Sequence, residues 1–563
     1  ASEYISACDY DIEGSVICFK IIEALGDIRR AKRMKFSTLT PQDIREAFRR
    51  LQPLDVEMIE AGLARHELDW LWGINISRAL MDAVRVYSGR RVILSAGRVQ
   101  SPTLVEAVRR WEELNLHAPK PSISLIITLK SRRGEEFKAY TLGWNPRDRA
   151  EAESIKREIT AKKTLSVTSY EEEREYMKPP PAFNLGDLQH EASRIYGFPP
   201  MRTQEIAEQL YLEALISYPR TNSQKLPPSI NYAAILRSLG EIREYSDLVK
   251  SLLRETRGVL EPVQGRAEDP AHPAIYPTGE KPGNLTREQW LIYDLIVRRF
   301  LAAFAREAVL VRARVVLRDW RGRLYEARGL RVIEEGWLKY YAFLKPEESS
   351  IPRLSRGEAV DVEGVAVRVT WSKPSTVISK ISLLEWMERV GIGTESTRAR
   401  IIETLYKRGY LAQDGKSTRV TDLGYTVARI IEELFPDLAT PELTRGFERM
   451  LDDIRFGRRS REDVKREARA TLESLLSKYS SRLREVGHRI SASLSIDKPV
   501  NPCEVCGRES TTTVSSLRLC DYHAKALQRL KDAIKYTAST LNISSAEALK
   551  LIASKKGSVG RWV

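Results

Sequence analysis

Four groups of residues carry side chains able to do chemistry. The first lies in LISYPRTNS, Leu215 to Ser223, where Tyr218 precedes Pro219 and Arg220. Pro219 biases Tyr218 toward extended backbone. A phenol, with a pKa of about 10, is a poor nucleophile at neutral pH. A nearby guanidinium favours the phenolate and can hold an anion such as a phosphate. The same letters also read as an aromatic core residue in a turn. The second group is Asp9, Asp11 and Glu13 of CDYDIEG. At an extended strand end alternate residues share a face, so three carboxylates can converge, and such oxygens suit Mg²⁺ with its waters and phosphates. An acidic helix start, favoured by the helix dipole, accounts for them equally. The third is His272 in the proline-rich DPAHPAIYPTG, Asp269 to Gly279. There a histidine can bond a phosphate, move a proton, or simply occupy a turn. The fourth is CEVC, thirteen residues, then CDYH: Cys503, Cys506, Cys520 and His523. That spacing reads as a closed structural zinc site, which stabilises a small fold and does no chemistry.

Each group needs elements to place it. Thr203 to Leu215 carries Ile206, Leu210 and Ala214 at helical spacing, so Tyr218 stands just past a helix end. Tyr4 to Ala7 reads as a strand end. Gly14 then opens a helix with Val16, Ile17, Ile21, Ile22 and Leu25. Thr40 before Pro41 is a helix N-cap. Helical spacing runs through Ala64 to Leu80, with Arg65, Asp69, Asn75 and Arg78 beside Trp70 and Trp72. In LSAGRVQSPTL, Leu94 to Leu104, a small-residue turn around Ser95 lets a ligand approach the backbone. Arg98, Gln100 and Ser101 supply donors that fit phosphates there, or are ordinary polar residues at a helix start.

From Ser122 the period changes to strands (SISLIITLK, EFKAYTLGW, LSVTSYEEE), and a second strand-rich block runs from Val309 to Thr376. The helical stretch holding Tyr218 is thus inserted between two halves of a β-rich module, a natural hinge pair. In Gly391 to Leu411, Thr394 caps a helix with Arg398 and Arg400 in its early turns. The hairpin QDGKSTRVT comes next, a winged-helix-like pattern. GKS at 415–417 is no phosphate-binding loop, because Tyr410 stands where a glycine is required. No ATPase activity is expected.

A chain of 563 residues implies several domains, and 42% hydrophobic residues suffice for their cores. No apolar run is long enough to cross a bilayer, and no secretory signal is read. Lys plus Arg outnumber Asp plus Glu by 91 to 76, which points to a polyanion, most simply nucleic acid. Charge of 30% with mixed signs also suits a thermophile surface. Five cysteines make no disulfide framework and fit a reducing interior with one metal site.

Taken together, CDYDIEG, RMKFSTLT, SAGRVQSPTL, TQEIAEQLYLEALISYPRTNS, AHPAIYPTG, GIGTESTRARIIETLYKRGYL and PELTRGFERMLDDI resemble the type IA DNA topoisomerases, most closely the archaeal topoisomerase III or I group. The likeness spans Ala1 to about Gly457. It implies an α+β multidomain toroid: a partial Toprim α/β domain (1–55), a helical DNA-binding base (56–117), a β-rich arm (118–182), a helical nucleophile domain (183–305), the arm's second part (306–376), a winged-helix-like base (377–485) and a basic zinc-finger tail (486–563). It also implies roles. Tyr218 attacks single-stranded DNA and becomes linked to the 5′ phosphate, and Arg220 holds the scissile phosphate with His272 nearby. Asp9, Asp11 and Glu13 bind Mg²⁺. Arg65, Asp69, Ser95, Arg98, Gln100, Arg220 and Arg398 contact the strand, and Cys503, Cys506, Cys520 and His523 hold structural Zn²⁺. The expected activity is ATP-independent relaxation of negative supercoils or decatenation, in the cytoplasm at the nucleoid. The family's Toprim domain carries a glutamate and a lysine upstream of the acidic motif. The chain alone is therefore expected to bind DNA but cleave weakly, a separate Toprim polypeptide being one partner. Two alternatives remain: the topoisomerase half of a split reverse gyrase with a separate helicase, and a noncatalytic DNA-binding fragment.

Overall fold

The structure is a computed structural model and describes residues 3–269, 271–374, 378–415, 417–496, 501–555 and 559–562. Pro270, Lys416 and Thr376, which belong to three of the stretches above, lie outside the described residues. The chain divides into two compact units. One comprises Ala1–Trp111, Pro180–Ala305 and Ile378–Lys498, the other Glu112–Pro179, Arg306–Val377 and Pro499–Val563.

In the first unit, the strand Tyr4–Ser6 runs parallel to Ala31–Arg33, which pairs antiparallel with Gln52–Pro53. The helix after the first strand spans Ile12–Leu25 and is capped by Asp11, whose side chain accepts from the Gly14 N–H. Glu13 is therefore in a helical first turn and not on an extended strand end. The cap satisfies an orphan amide, which an all-extended CDYDIE segment would not do. Val16 packs with Ile59 and Leu63 on the inner face. On the outer face Ile17, Ile21 and Leu25 are 51%, 53% and 81% exposed.

The helix Val56–Ser88 is the spine of this unit. Leu68, Trp72, Ile76 and Leu80 recur every four residues and are all buried. Helices Pro441–Arg455, Arg461–Ser480 and Leu483–Ser493 pack along it. At the last contact a Cβ on Gly487 would lie 2.2 Å from the Ala83 carbonyl oxygen, so only glycine lets the two backbones come so close. Thr40 caps the helix Pro41–Arg49 as expected. The Glu395–Lys407 helix begins in a capping box at Thr394 and leads into the hairpin Leu411–Asp414 with Ser417–Val420. Helices Leu185–Tyr196, Pro200–Leu212 and Arg287–Ala303 pack on one another, with Ile206, Leu210, Ile296 and Phe300 fully buried.

In the second unit the two strand-rich stretches come together in one closed six-stranded barrel. Its order is Pro121–Lys130, Glu136–Thr141, Leu324–Glu334, Ala308–Arg318, Thr164–Met177 and Ala359–Trp371, the last pairing back onto the first with Pro121 opposite Trp371. Closure removes the unpaired edges that two separate arms would leave. The helix Arg149–Lys162 was not anticipated; its Ala152, Ile155 and Ile159 join the barrel's apolar cluster with Leu125, Ile127 and Val315. The helix Asp521–Leu541 packs on this helix and on the first barrel strand. No helix among the described residues is long and apolar enough to cross a membrane.

Candidate active site

The Pro200–Leu212 helix ends one turn earlier than its apolar spacing suggests, because Ala214 adopts a left-handed conformation at φ +59°. The Ala214 and Leu215 amides then bond back to Tyr211 and Leu210, turning the chain sharply into ISYPR. Two backbone bonds hold Ser217 and Tyr218 in place. Ser217 donates to the Tyr276 carbonyl at 2.9 Å, and Tyr218 donates to the Ser37 carbonyl at 2.8 Å. Tyr218 is thus held between the loop bearing His272 and the FSTLT segment, and it is only 3% exposed.

The Tyr218 hydroxyl donates to Asp11 Oδ2 at 2.6 Å. Beside it, the Tyr211 hydroxyl donates to Asp9 Oδ1 at 3.1 Å, and the two tyrosine rings meet edge to face at 5.2 Å. The His272 ring centroid lies 4.5 Å from that of Tyr218. Its Nδ1 is 3.3 Å from Ser37 Oγ, while Nε2 is buried without a hydrogen-bond partner among the described residues. Asp11, Glu13, Arg65, Arg220, His272 and Ser396 line a common cavity of about 240 Å³. The structure therefore brings together Tyr218, Arg220, Asp9, Asp11 and His272, residues up to 263 positions apart in the chain.

The electrostatics differ from the expectation for an Arg-activated phenol. Burial, then the Asp11 charge, pushes the Tyr218 phenol far above its ordinary pKa, and Arg220 opposes this only weakly. Tyr218 is a neutral hydrogen-bond donor in this state. Burial raises the Asp9 carboxyl. Burial also lowers His272, which leaves it neutral at pH 7. For Arg220, burial works against the charge, but its neighbours, the Glu208 carboxylate among them, more than offset it.

The acidic residues do not form one cluster. Asp11 Oδ1 is occupied by the helix cap at 2.6 Å, and Glu13 Oε2 faces His66 Nε2 at 3.1 Å. Among the described residues, three or more ligand atoms within metal-binding reach of one another occur only at Cys503, Cys506, Cys520 and His523. Asp9 and Asp11 are close enough for the charge of one to raise the pKa of the other. A pair of hard carboxylates beside an open cavity fits a largely hydrated Mg²⁺; Glu13 does not join them here.

The strand-contact candidates are mostly bound within the protein. Arg98 has a side chain only 1% exposed; its Nε donates to Asp69 Oδ1 at 2.7 Å, and its guanidinium lies 5.3 Å from the Phe447 ring centre. Arg65 donates to Glu448 Oε2 at 2.5 Å. Gln100 Nε2 donates to Ser95 Oγ at 2.8 Å, and Arg398 Nε to the Ile392 carbonyl at 3.2 Å. Of these residues Arg65 lines the cavity, together with Arg220. The reading of the sequence missed Tyr211, Glu208, Ser37 and Glu448. Tyr211 stands seven residues before Tyr218, in the last turn of the preceding helix, and was legible as a second phenol in the motif. Glu208 stands on the same helix, while Ser37 and Glu448 are joined to the site only by tertiary contacts.

In the other unit, Cys503, Cys506, Cys520 and His523 place their ligand atoms within 4.8 Å of one another. Cys506 Sγ to Cys520 Sγ is 3.8 Å and Cys520 Sγ to His523 Nδ1 is 3.3 Å. Zn–S bonds of about 2.3 Å and Zn–N bonds of about 2.0 Å in a tetrahedron give edges of this size. The set fits Zn²⁺, with Trp562 packed against Tyr522 and His523.

A family described as DNA topoisomerase matches residues 53–466. The chain belongs to the DNA topoisomerase family. It is 57% identical over 564 residues to DNA topoisomerase 1 of Aeropyrum pernix, covering 100% of this chain and 83% of that protein. It is 40% identical over 517 residues to DNA topoisomerase 1 of Pyrococcus horikoshii, covering 90% and 74%. Among solved structures, full-length topoisomerase I from Thermotoga maritima is similar with a TM-score of 0.68 and 26% identity, over 90% of this chain and 82% of that one. The chain is thus a type IA DNA topoisomerase, an isomerase whose substrate is DNA. Neither the split reverse gyrase nor the noncatalytic fragment is favoured by these relatives.

Proposed function

We propose that Tyr218 is the nucleophile of this topoisomerase and that the cavity lined by its hydrogen-bond partner Asp11 receives one phosphodiester of a single strand. The observation that carries this is the 2.6 Å bond from the Tyr218 hydroxyl to Asp11 Oδ2, at a cavity lined by Arg220 and His272. Tyr218 Oη attacks phosphorus and the P–O3′ bond breaks. The 5′ phosphate stays on the tyrosine, and the other fragment leaves with a 3′ hydroxyl. Asp11 Oδ2 already receives the phenol's hydrogen bond and is the atom placed to take its proton. Arg220 supplies positive charge to the phosphoryl oxygens in transit. His272, neutral and held at Nδ1 by Ser37, stands with its ring beside the phenol ring. Religation is the reverse: the 3′ hydroxyl attacks phosphorus and the bond to Tyr218 breaks. One phosphoester replaces another at each step, so no ATP is needed.

Asp9 and Asp11 are the residues that would hold Mg²⁺, which supplies positive charge to phosphate oxygens when bound. The four-ligand Cys/His set would hold Zn²⁺ as a structural ion. The Tyr218 module would swing aside for strand passage. Relaxation of negative supercoils or decatenation follows from the same cleavage. A strand labelled at either end tests the polarity. A 3′ label should remain with the protein after denaturation while a 5′ label is released. The opposite pattern would mean a 3′-phosphotyrosine and would refute this reading.

A further inference from the structure

Arg220 lies at the cavity with a carboxylate already on it. Its Nε donates to Glu208 Oε1 at 2.8 Å, and Nη2 lies 2.7 Å from the same oxygen as an ion pair. Glu208 sits on the Pro200–Leu212 helix, and the same oxygen accepts from Gln204 Nε2 one turn earlier at 3.0 Å. Gln204 is fully buried. A buried amide thus fixes the carboxylate, and the carboxylate fixes the guanidinium. A guanidinium is a rigid planar fork of five N–H donors with two edges able to grip an oxyanion. Glu208 takes the Nε side, so Nη1 and the second Nη2 hydrogen remain on the end edge. An ion pair here also cancels charge at the point where a phosphate must bind. A carboxylate beside a phosphate site is a poor choice for affinity, but orientation of a reacting group can outweigh affinity in a catalytic step.

We propose that Glu208 is a positioning residue for the reaction at Tyr218: it locks the Arg220 guanidinium so that its end edge faces the scissile phosphate, while lowering the protein's attraction for the strand. This rests on the reading of Arg220 as the phosphate-holding group. Removal of Glu208 should therefore move two quantities in opposite directions. A purely structural ion pair would move them together, because a loosened fold loses binding and cleavage alike.

The experiment compares Glu208→Ala and Glu208→Gln with the unaltered chain and with Arg220→Gln. Affinity for a fluorescent oligothymidylate is measured over a KCl series without divalent metal. Adduct formation is measured in single turnover with Mg²⁺. Glu208→Ala should bind about two- to five-fold more tightly at low salt, as one local negative charge is lost, with a slope of log affinity against log salt steeper by about 0.7. Its adduct should form at least about ten-fold more slowly. Glu208→Gln keeps an acceptor oxygen and should restore part of the rate while keeping the tighter binding. If the alanine variant does not fold, the glutamine variant carries the comparison. Adduct formation at the unaltered rate, or binding that is unchanged or weaker, would overturn the proposal. Arg220→Gln separates the two readings. If it forms adduct normally, the role of Arg220 itself falls; if it is impaired and Glu208→Ala is not, only the role of Glu208 falls.

Discussion

At the scale of single residues, the candidate site is a set of internal partnerships. The phenol of Tyr218 is bonded to Asp11, Tyr211 to Asp9, Arg220 to Glu208, Arg65 to Glu448 and Arg98 to Asp69. Arg98 is buried, and a buried charge that loses its partner costs about 3–5 kcal/mol. Glu448 serves Arg65 directly and lies 3.8 Å from Arg98, so Glu448→Ala should lower unfolding free energy by about 3 kcal/mol, read from the denaturant midpoint. A loss below about 1 kcal/mol would show that the pair is solvated. His272 gives a pH prediction. Burial depresses its folded pKa, so the unfolded chain takes up the proton first. This contribution to stability is complete above the unfolded value of about 6.5 and is lost as pH falls through the folded one. His272→Gln should flatten the acid limb of the stability curve below about pH 6.5. An unchanged limb would assign it to other groups. Tyr218, Arg220 and His272 were singled out in the letters by residue type and local proline content, and the structure brings them together. Their pairing with Asp9 and Asp11 was not, since neighbours in space do not show in the spacing of one element.

At the scale of elements, the turn between the Pro200–Leu212 helix and Tyr218 carries strain. Ala214 is held left-handed, where a side chain costs about 1–2 kcal/mol. Ala214→Gly should therefore stabilise the protein by about 0.5–1 kcal/mol after glycine's larger unfolded-state entropy is counted. A destabilised variant would mean that the methyl group's packing outweighs the backbone relief. Apolar spacing correctly signalled the helix through Ile206 and Leu210 but extended it to Ala214, because spacing says nothing of φ. For the acidic motif the structure favours the helix-start reading over the strand-face one. Alternating Asp9, Asp11 and Glu13 looked like one strand face, yet Asp11 caps a helix and sends Glu13 toward His66. The caps at Thr40 and Thr394 were legible because a hydroxyl before a helical run has one dominant use. The Arg149–Lys162 helix escaped notice beside strong strand patterns, although Asp148 caps it and Ala152, Ile155 and Ile159 mark its face.

At the scale of the whole molecule, the strand content of both β-rich stretches was legible, but their closure into one barrel was not. Closure is decided by the pairing of Pro121–Lys130 with Ala359–Trp371, more than two hundred residues apart. The Cys/His cluster was legible because its spacing brings the four ligand atoms together. A closed four-ligand site stabilises a small fold and takes no part in phosphoryl transfer. Chelation should therefore release about one zinc per chain and open the 501–541 region to protease, while leaving adduct formation by Tyr218 intact. Loss of the adduct on chelation would give the metal a role in cleavage. The most direct test of the account is denaturing-gel trapping of the chain with labelled single-stranded DNA and Mg²⁺, beside Tyr218→Phe. We predict a covalent band that disappears in the phenylalanine variant while strand binding persists. A band that survives the substitution would place the nucleophile elsewhere and contradict the account.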